Sequence, residues 1–287
     1  MAKLLKGAPV AAALTEKTAQ EAAKLKEKGI TPTLAIFRVG EREDDLSYER
    51  AAMKRCERTG VAVKNVVLPA DVDAQTFYDT LGSLNTDPSV HGILMFRPLP
   101  VHLGKEKARR SLNPEKDVDG CSDVSLAGVF TNDACGFPPC TAQAAMEILK
   151  YYGIDPEGKR VVVIGRSLVI GRPVAMLLMH ANATVTICHT RTADVPSVAR
   201  QADILISAMG EMETVGAEFL REGQTVIDVG IKWNEEKGKL CGDVRFEEAE
   251  AIVDAITPVP GGVGSVTTSV LASHVVEAAK RQAAGKI

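Results

Sequence analysis

The run Arg160-Val161-Val162-Val163-Ile164, followed by Gly165-Arg166-Ser167-Leu168-Val169-Ile170-Gly171-Arg172-Pro173 and then Val174 to His180, decides the fold. The apolar, β-branched stretch reads as a buried strand and Gly165 as a tight turn. From Gly171 to His180 the pattern is helical. Such a strand-turn-helix lets a pyrophosphate approach the backbone at glycine and meet free N–H groups at the helix start. Neither G-x-G-x-x-G nor G-x-x-x-x-G-K-[ST] is present, so taken alone the turn is equally a packing device. Gly165, Arg166, Ser167 and Gly171 are its candidate cofactor-binding residues.

The next strand, Thr184 to Cys188, strengthens the nucleotide reading. Sites that prefer NAD place Asp or Glu at the end of this strand to bind the ribose 2′-hydroxyl. Here the strand runs into His189-Thr190-Arg191-Thr192, with no acid. Thr190 and Arg191, with Arg166, suit a 2′-phosphate, which favours NADP over NAD.

Working outward, strands and helices alternate along the chain. Val10–Lys28 reads as an amphipathic helix ended by Gly29, and Thr33–Phe37 as a buried strand. A polar loop from Gly40 to Asp45 then leads into a helix that Gly60 stops. Val61–Leu68 and Val90–Phe96 are strand-like, with a helix over Ala74–Leu84 between them. Beyond Thr141 a second series follows, with a helix to Tyr152, strands at Arg160–Ile164, Thr184–Cys188, Ile204–Ala208 and Thr225–Val229, and a helix over Val195–Gln201. Ala255–Gly264 reads as a Pro/Gly-rich loop and Ser265–Ala284 as a last long helix. This alternation is the signature of parallel sheets with crossover helices, an α/β fold. The pattern loosens between Asn113 and Pro139, which marks the boundary between two lobes.

Composition bounds the partners. The 287 residues are 45% hydrophobic and 25% charged, with 34 Lys and Arg against 37 Asp and Glu, enough for about two ordinary domains. No long basic tract and only 4% aromatic residues argue against a nucleic-acid surface. Cys56, Cys121, Cys135, Cys140, Cys188 and Cys241 form no C-x-x-C pair, so reduced thiols are expected, with no metal site. Met1–Leu14 superficially mimics a signal peptide, but its apolar run is short and passes at once into the charged segment Thr15–Lys28. With no stretch near the roughly 18 apolar residues that a membrane span needs, a cytoplasmic protein without a membrane partner is expected.

Several further motifs accompany the glycine turn: Lys116-Asp117-Val118-Asp119-Gly120, Pro139-Cys140-Thr141, Ile227-Asp228-Val229-Gly230-Ile231, Gly242-Asp243-Val244 and Thr257-Pro258-Val259-Pro260-Gly261-Gly262-Val263-Gly264. In this order, along essentially the whole chain, the sequence resembles the bifunctional methylenetetrahydrofolate dehydrogenase/methenyltetrahydrofolate cyclohydrolase family. The resemblance implies a folate-binding α/β lobe over residues 1–140, completed by a C-terminal helix at 266–287. It implies a Rossmann-like NADP-binding domain over 141–265, with a parallel sheet, an active-site cleft between the lobes, and homodimers paired through the Rossmann-like lobes.

The resemblance also implies roles. Asp119 matches the carboxylate that accepts the paired N–H donors of the pterin. Tyr48 matches the tyrosine that stacks on the aminobenzoyl group with its hydroxyl near the reacting carbon. Phe96, Pro98, Pro258, Gly261 and Gly262 fall at substrate-binding positions, and Ile231 at a cofactor-binding one. The first activity moves a hydride from the one-carbon bridge to nicotinamide and requires alignment more than acid–base help.

Two positions depart from the family where its second activity, hydrolysis of the methenyl bridge, is concerned. The lysine four residues after the tyrosine is Ala52, and the glutamine that sets that lysine's position and protonation is Phe96. Neither side chain transfers a proton. Helical geometry rotates Lys54 by roughly 200° from position 52, and strand alternation points Arg97 away from the face of Phe96. Milder departures are Asp44-Asp45, Ala142 and Ser265. The expectation is a dehydrogenase with weak or absent hydrolase activity. Alternatives are a catalytically silent folate- or nucleotide-binding protein and another two-lobed Rossmann oxidoreductase, such as one resembling shikimate dehydrogenase, for which no Lys/Asp pair stands in matching context.

Overall fold

The computed structural model describes residues 1–285; the last two residues of the helix expected at 266–287 lie outside them. In chain order the elements are β1 (Lys3–Leu4), α1 (Gly7–Glu27), β2 (Thr33–Val39), α2 (Glu43–Thr59), β3 (Ala62–Leu68), α3 (Ala74–Thr86), β4 (Gly92–Met95), α4 (Lys105–Ser111), α5 (Asp123–Thr131) and α6 (Cys140–Tyr151). They continue with β5 (Arg160–Ile164), α7 (Gly171–His180), β6 (Thr184–Cys188), α8 (Val195–Ala199), β7 (Ile204–Ser207), β8 (Thr225–Asp228), β9 (Lys232–Asn234), β10 (Lys239–Cys241), α9 (Phe246–Ile252), β11 (Ala255–Ile256) and α10 (Thr267–Ala283). The chain divides into two compact units, one of Ala12–Cys140 with the segment from Thr268 onward, the other of Met1–Ala11 with Thr141–Thr267.

The first unit is built on a three-stranded parallel sheet in the order β3-β2-β4. Its central strand pairs Phe37 with Val66 on one side and with Met95 on the other. Phe37 stacks on Phe77 of α3 at 5.1 Å between ring centroids. Around them Val39, Leu81, Ile93, Leu103 and Leu112 close an apolar core. Strands buried on both faces explain why β2 and β4 read as continuous apolar runs. Helix α2 begins at Glu43, two residues before the end of the loop read from the sequence, because Glu43, Asp44 and Asp45 suit the positive end of a helix dipole. Gly60 ends it in the left-handed conformation, φ 71°. A buried ion pair, Arg38 Nε to Glu49 at 2.7 Å, ties α2 to β2. Helix α10 belongs to this unit: Arg55 of α2 donates to Thr15 of α1 at 2.7 Å and to Thr268 at 3.4 Å.

The second unit carries a six-stranded parallel sheet in the order β1-β11-β8-β7-β5-β6. Val162, Ile164, Leu205, Val226 and Ile256 lie in its core. Met1–Ala11 sits here rather than with the residues that follow, because β1 pairs in parallel with β11 and the Leu5 N–H donates to the Ile256 carbonyl at 2.8 Å. Ala255–Ile256, expected as loop, is therefore strand β11. Two residues are too few to show a strand period.

Candidate active site

In the first unit α2 sets Tyr48 half-buried, and Ala52 lies one turn further along, 1% exposed. Phe96 follows β4 directly and its N–H donates to the Phe37 carbonyl at 3.0 Å, which fixes the residue beside β2. The Tyr48 and Phe96 rings meet edge to face, 6.0 Å apart at 81°. These positions thus hold an aromatic pair, with the buried methyl group of Ala52 on the same helix as Tyr48. Arg50 and Lys54 are exposed on the same helix, for Lys54 as expected from its angular offset from position 52.

The loop Lys116–Gly120 uses its two aspartates differently. Asp117 is fully buried and accepts the N–H groups of Cys121 (3.0 Å) and Ser122 (2.6 Å) and the hydroxyl of Ser125 (2.7 Å). Lys116 extends its ammonium to the carbonyls of Leu84 (3.1 Å) and Asp87 (2.6 Å). These bonds anchor the loop on both sides of Asp119. Asp119 itself pairs with Arg97, whose Nη2 lies 2.7 Å from Oδ2, and both side chains are about a quarter exposed. Burial pushes the Asp119 carboxyl above its usual range, while the Arg97 charge and hydrogen bond oppose that rise. The Cys140 thiol neighbours the same carboxyl, donates to the Val118 carbonyl at 3.3 Å and lies 3.8 Å from His274 Nδ1. Phe96 and Arg97 are consecutive, so one turn of chain, entering Pro98 through a cis peptide, joins Tyr48 to Asp119. Pro98 is exposed beside them.

Sequence reasoning named Tyr48, Phe96, Pro98 and Asp119 and missed the bond from Arg97 to Asp119. No helical or strand period links residues 22 apart across two loops.

In the second unit the glycine turn follows β5, beside β7, where the strand order reverses direction. Gly165 has φ 127°, and a Cβ on Gly171 would stand 2.2 Å from the Gly165 carbonyl oxygen. Only glycine allows the helix start to approach the strand end so closely. No side chain caps α7 at its N-terminus; the Arg172 N–H donates to the Ser167 carbonyl at 3.1 Å and Pro173 has none, so the Gly171 N–H is the first-turn donor that could meet an anion. Ser167 Oγ accepts the Ile170 N–H at 3.1 Å and shapes the turn, with Arg166 exposed next to it. After β6, Thr190 and Arg191 are both exposed, and the turn is held by Arg191 N–H to His189 Nδ1 (3.1 Å) and His189 N–H to Thr192 Oγ1 (2.9 Å). A glycine turn, an uncapped helix start and an acid-free second strand end fit a dinucleotide with a 2′-phosphate.

The two other aspartates quoted from the sequence are braces. Asp228 accepts the N–H groups of Gly230, Asp243 and Val244 at 3.0–3.1 Å. Asp243 accepts from Ser207 Oγ (3.0 Å), Met209 N–H (2.7 Å) and Glu211 N–H (3.0 Å). They lock the loops at the carboxyl ends of β7 and β8, where Ile231 is left 52% exposed. In the loop after β11 Pro258 is half-buried, Gly262 buried and Gly261 exposed, its carbonyl accepting the Gly7 N–H at 2.7 Å.

Two family models match the chain: "Tetrahydrofolate dehydrogenase/cyclohydrolase, catalytic domain" over residues 5–119 and "Tetrahydrofolate dehydrogenase/cyclohydrolase, NAD(P)-binding domain" over 139–283. The bifunctional protein FolD of Carboxydothermus hydrogenoformans is 52% identical over 279 residues, covering 97% of each chain. Among solved structures, the bifunctional FolD enzyme of Campylobacter jejuni gives a TM-score of 0.95 at 38% identity, covering 98% of this chain and 100% of its own. The methylenetetrahydrofolate dehydrogenase-cyclohydrolase of Trypanosoma brucei, solved with NADP cofactor and inhibitor, gives 0.92 at 36% identity, with 98% of each chain covered.

Proposed function

The chain belongs to the tetrahydrofolate dehydrogenase/cyclohydrolase family, and on that footing we propose that it oxidises 5,10-methylenetetrahydrofolate to 5,10-methenyltetrahydrofolate with NADP and has lost effective hydrolysis of the methenyl product. The second unit carries the cofactor half. Gly165, Arg166, Ser167 and Gly171 hold the pyrophosphate, Thr190 and Arg191 the 2′-phosphate, and Ile231 offers an apolar side chain. NADP, when bound, supplies a hydride acceptor.

The first unit carries the folate half. Asp119 accepts the paired pterin N–H donors, and Tyr48 stacks on the aminobenzoyl group with its hydroxyl near the reacting carbon. Phe96 and Pro98 line the substrate in this unit; Pro258, Gly261 and Gly262 are substrate-binding candidates carried by the second unit. Holding the donor carbon in place supplies most of what hydride transfer requires, since the positive charge left behind is shared by two nitrogens.

Hydrolysis differs, because a water must be activated and a nitrogen protonated. The observation that carries the reading is the Tyr48–Phe96 edge-to-face pair beside buried Ala52: a carbon surface occupies the place of the proton-transfer groups. The family match removes the reading as another two-lobed Rossmann oxidoreductase. The silent binding reading is separated by assay. Purified protein with methylenetetrahydrofolate should form NADPH faster than NADH from the corresponding cofactors, and methenyltetrahydrofolate should decay at its uncatalysed rate. Formation of neither reduced cofactor would leave a binding protein only.

A homodimer paired through the second unit accords with the free edge of its sheet, where β6 leaves Ile187 40% exposed. No helix among the described residues is long and apolar enough to cross a membrane. The six cysteines are free thiols, in keeping with a reducing cytoplasm.

A further inference from the structure

We infer that Arg97 is a positioning residue for the folate: its guanidinium holds the Asp119 carboxylate charged and in place to accept the paired N–H donors of the pterin. The inference rests on the reading of Asp119 as the pterin acceptor and adds to it the residue that makes this role workable.

The geometry comes first. Arg97 binds through Nη2 to Oδ2 alone, at 2.7 Å. An ionised carboxylate has about four lone-pair positions, so this single bond secures the group and leaves acceptor capacity on both oxygens. A bidentate clamp would have used that capacity up.

The surroundings explain why a cation is needed. The groups facing Asp119 are Arg97, Asp117 and Cys140, with Cys121 close in the same loop and His274 packed against Cys140. Asp117 is a like charge and works against ionisation. Burial pushes both the Cys140 and Cys121 thiols well up, so they are neutral and supply no positive charge. Burial likewise pushes His274 down to about 4, which leaves it neutral at physiological pH. Arg97 is therefore the cation that opposes the burial of Asp119.

A protonated Asp119 would present an O–H to one of the two pterin N–H donors, so the carboxylate is the form that accepts both, and the Arg97 charge favours that form. Arginine suits the position because it does not lose its charge when partly desolvated.

The sign of the pH effect follows. Asp119 must be ionised to bind folate, so kcat/KM for the folate falls as pH drops through its pKa. Removing Arg97 raises that pKa and moves the acid limb to higher pH. A residue that merely tied two loops together would alter stability and leave the limb where it was.

The test is steady-state kinetics across pH with methylenetetrahydrofolate and NADP for the wild type, Arg97→Leu and Arg97→Lys, each checked by thermal unfolding. In Arg97→Leu, KM for the folate should rise about tenfold and the acid limb should move up by about one pH unit. Its kcat should stay within about threefold, and KM for NADP should be unchanged, because the lost contact concerns binding of the folate alone. Arg97→Lys should return the limb most of the way, since the charge is restored. If Arg97→Leu fails to fold, Arg97→Gln, which keeps a donor without the charge, gives the same readings.

A folded Arg97→Leu with the wild-type limb and folate KM would overturn the inference. Failure of the dehydrogenase reading looks different. The wild type would then form no NADPH, and equilibrium dialysis of tetrahydrofolate against the same variants would decide the role of Arg97. Arg97-dependent binding would uphold it, and equal or absent binding would overturn it.

Discussion

At the scale of single residues, positions 52 and 96 work as a pair. Ala52 is 1% exposed and Phe96 8% exposed, so a lysine at 52 alone would carry an ammonium into a buried position, where it is destabilised or loses its proton. Ala52→Lys is therefore expected to fold less stably and to hydrolyse methenyltetrahydrofolate weakly. Ala52→Lys with Phe96→Gln supplies a polar partner and should hydrolyse it on the order of a hundredfold faster than the wild type. A product assay for 10-formyltetrahydrofolate checks this, and a double variant that folds yet hydrolyses no faster would show that other groups are missing. Residue identities at 48, 52, 96 and 119 were legible through the family motifs. The division of labour between Asp117 and Asp119 was not, because both are aspartates in one loop and only burial separates a brace from a binding group. Arg97 was legible as a cation but not as the partner of Asp119, since tertiary contacts between loops leave no periodic trace.

At the scale of elements, the glycine turn was the most readable part of the chain, and β5, α7 and β6 have the bounds that the apolar run and the turn predict. The pieces not foreseen are short: β1, α4, the antiparallel hairpin β9–β10, α9 and β11 have two to seven residues each, too few for a 2.0 or 3.6 period to stand out. The turn also sets two rules against each other. Helix propensity favours alanine over glycine by up to about 1 kcal/mol, yet at 171 the added Cβ would strike the Gly165 carbonyl at 2.2 Å. The clash should win, because a backbone atom gives way less easily than a side chain. Gly171→Ala is expected to lose roughly 1–3 kcal/mol in urea unfolding, the usual range for overpacking, and to bind NADP at least several-fold more weakly by titration. A variant as stable as the wild type with unchanged NADP affinity would mean that the turn relaxes.

At the scale of the whole molecule, the chain's return matters: α10 brings His274 into the first unit, where Nδ1 contacts the Val118 carbonyl at 2.9 Å and the ring tilts over Phe137 at 5.0 Å. Burial lowers its pKa from the usual 6.5 to about 4. The unfolded chain therefore takes up a proton that the folded one refuses, and stability falls as the pH drops from about 6.5 towards 4. Urea unfolding at several pH values should show the wild type losing on the order of 2–3 kcal/mol more than His274→Phe over that window, whereas parallel curves would contradict the assignment. The α/β architecture was legible because its parallel strands are apolar and evenly spaced. The pairing of the first residues with β11 was not, since it joins segments some 250 residues apart. The measurement that bears most directly on the account is the paired assay of one purified preparation, following NADPH formation from methylenetetrahydrofolate and enzyme-dependent loss of methenyltetrahydrofolate. A robust first rate and a second rate indistinguishable from buffer are expected. A hydrolysis rate comparable to the dehydrogenase rate would contradict this expectation, because it would require a proton-transfer group that neither Ala52 nor Phe96 provides.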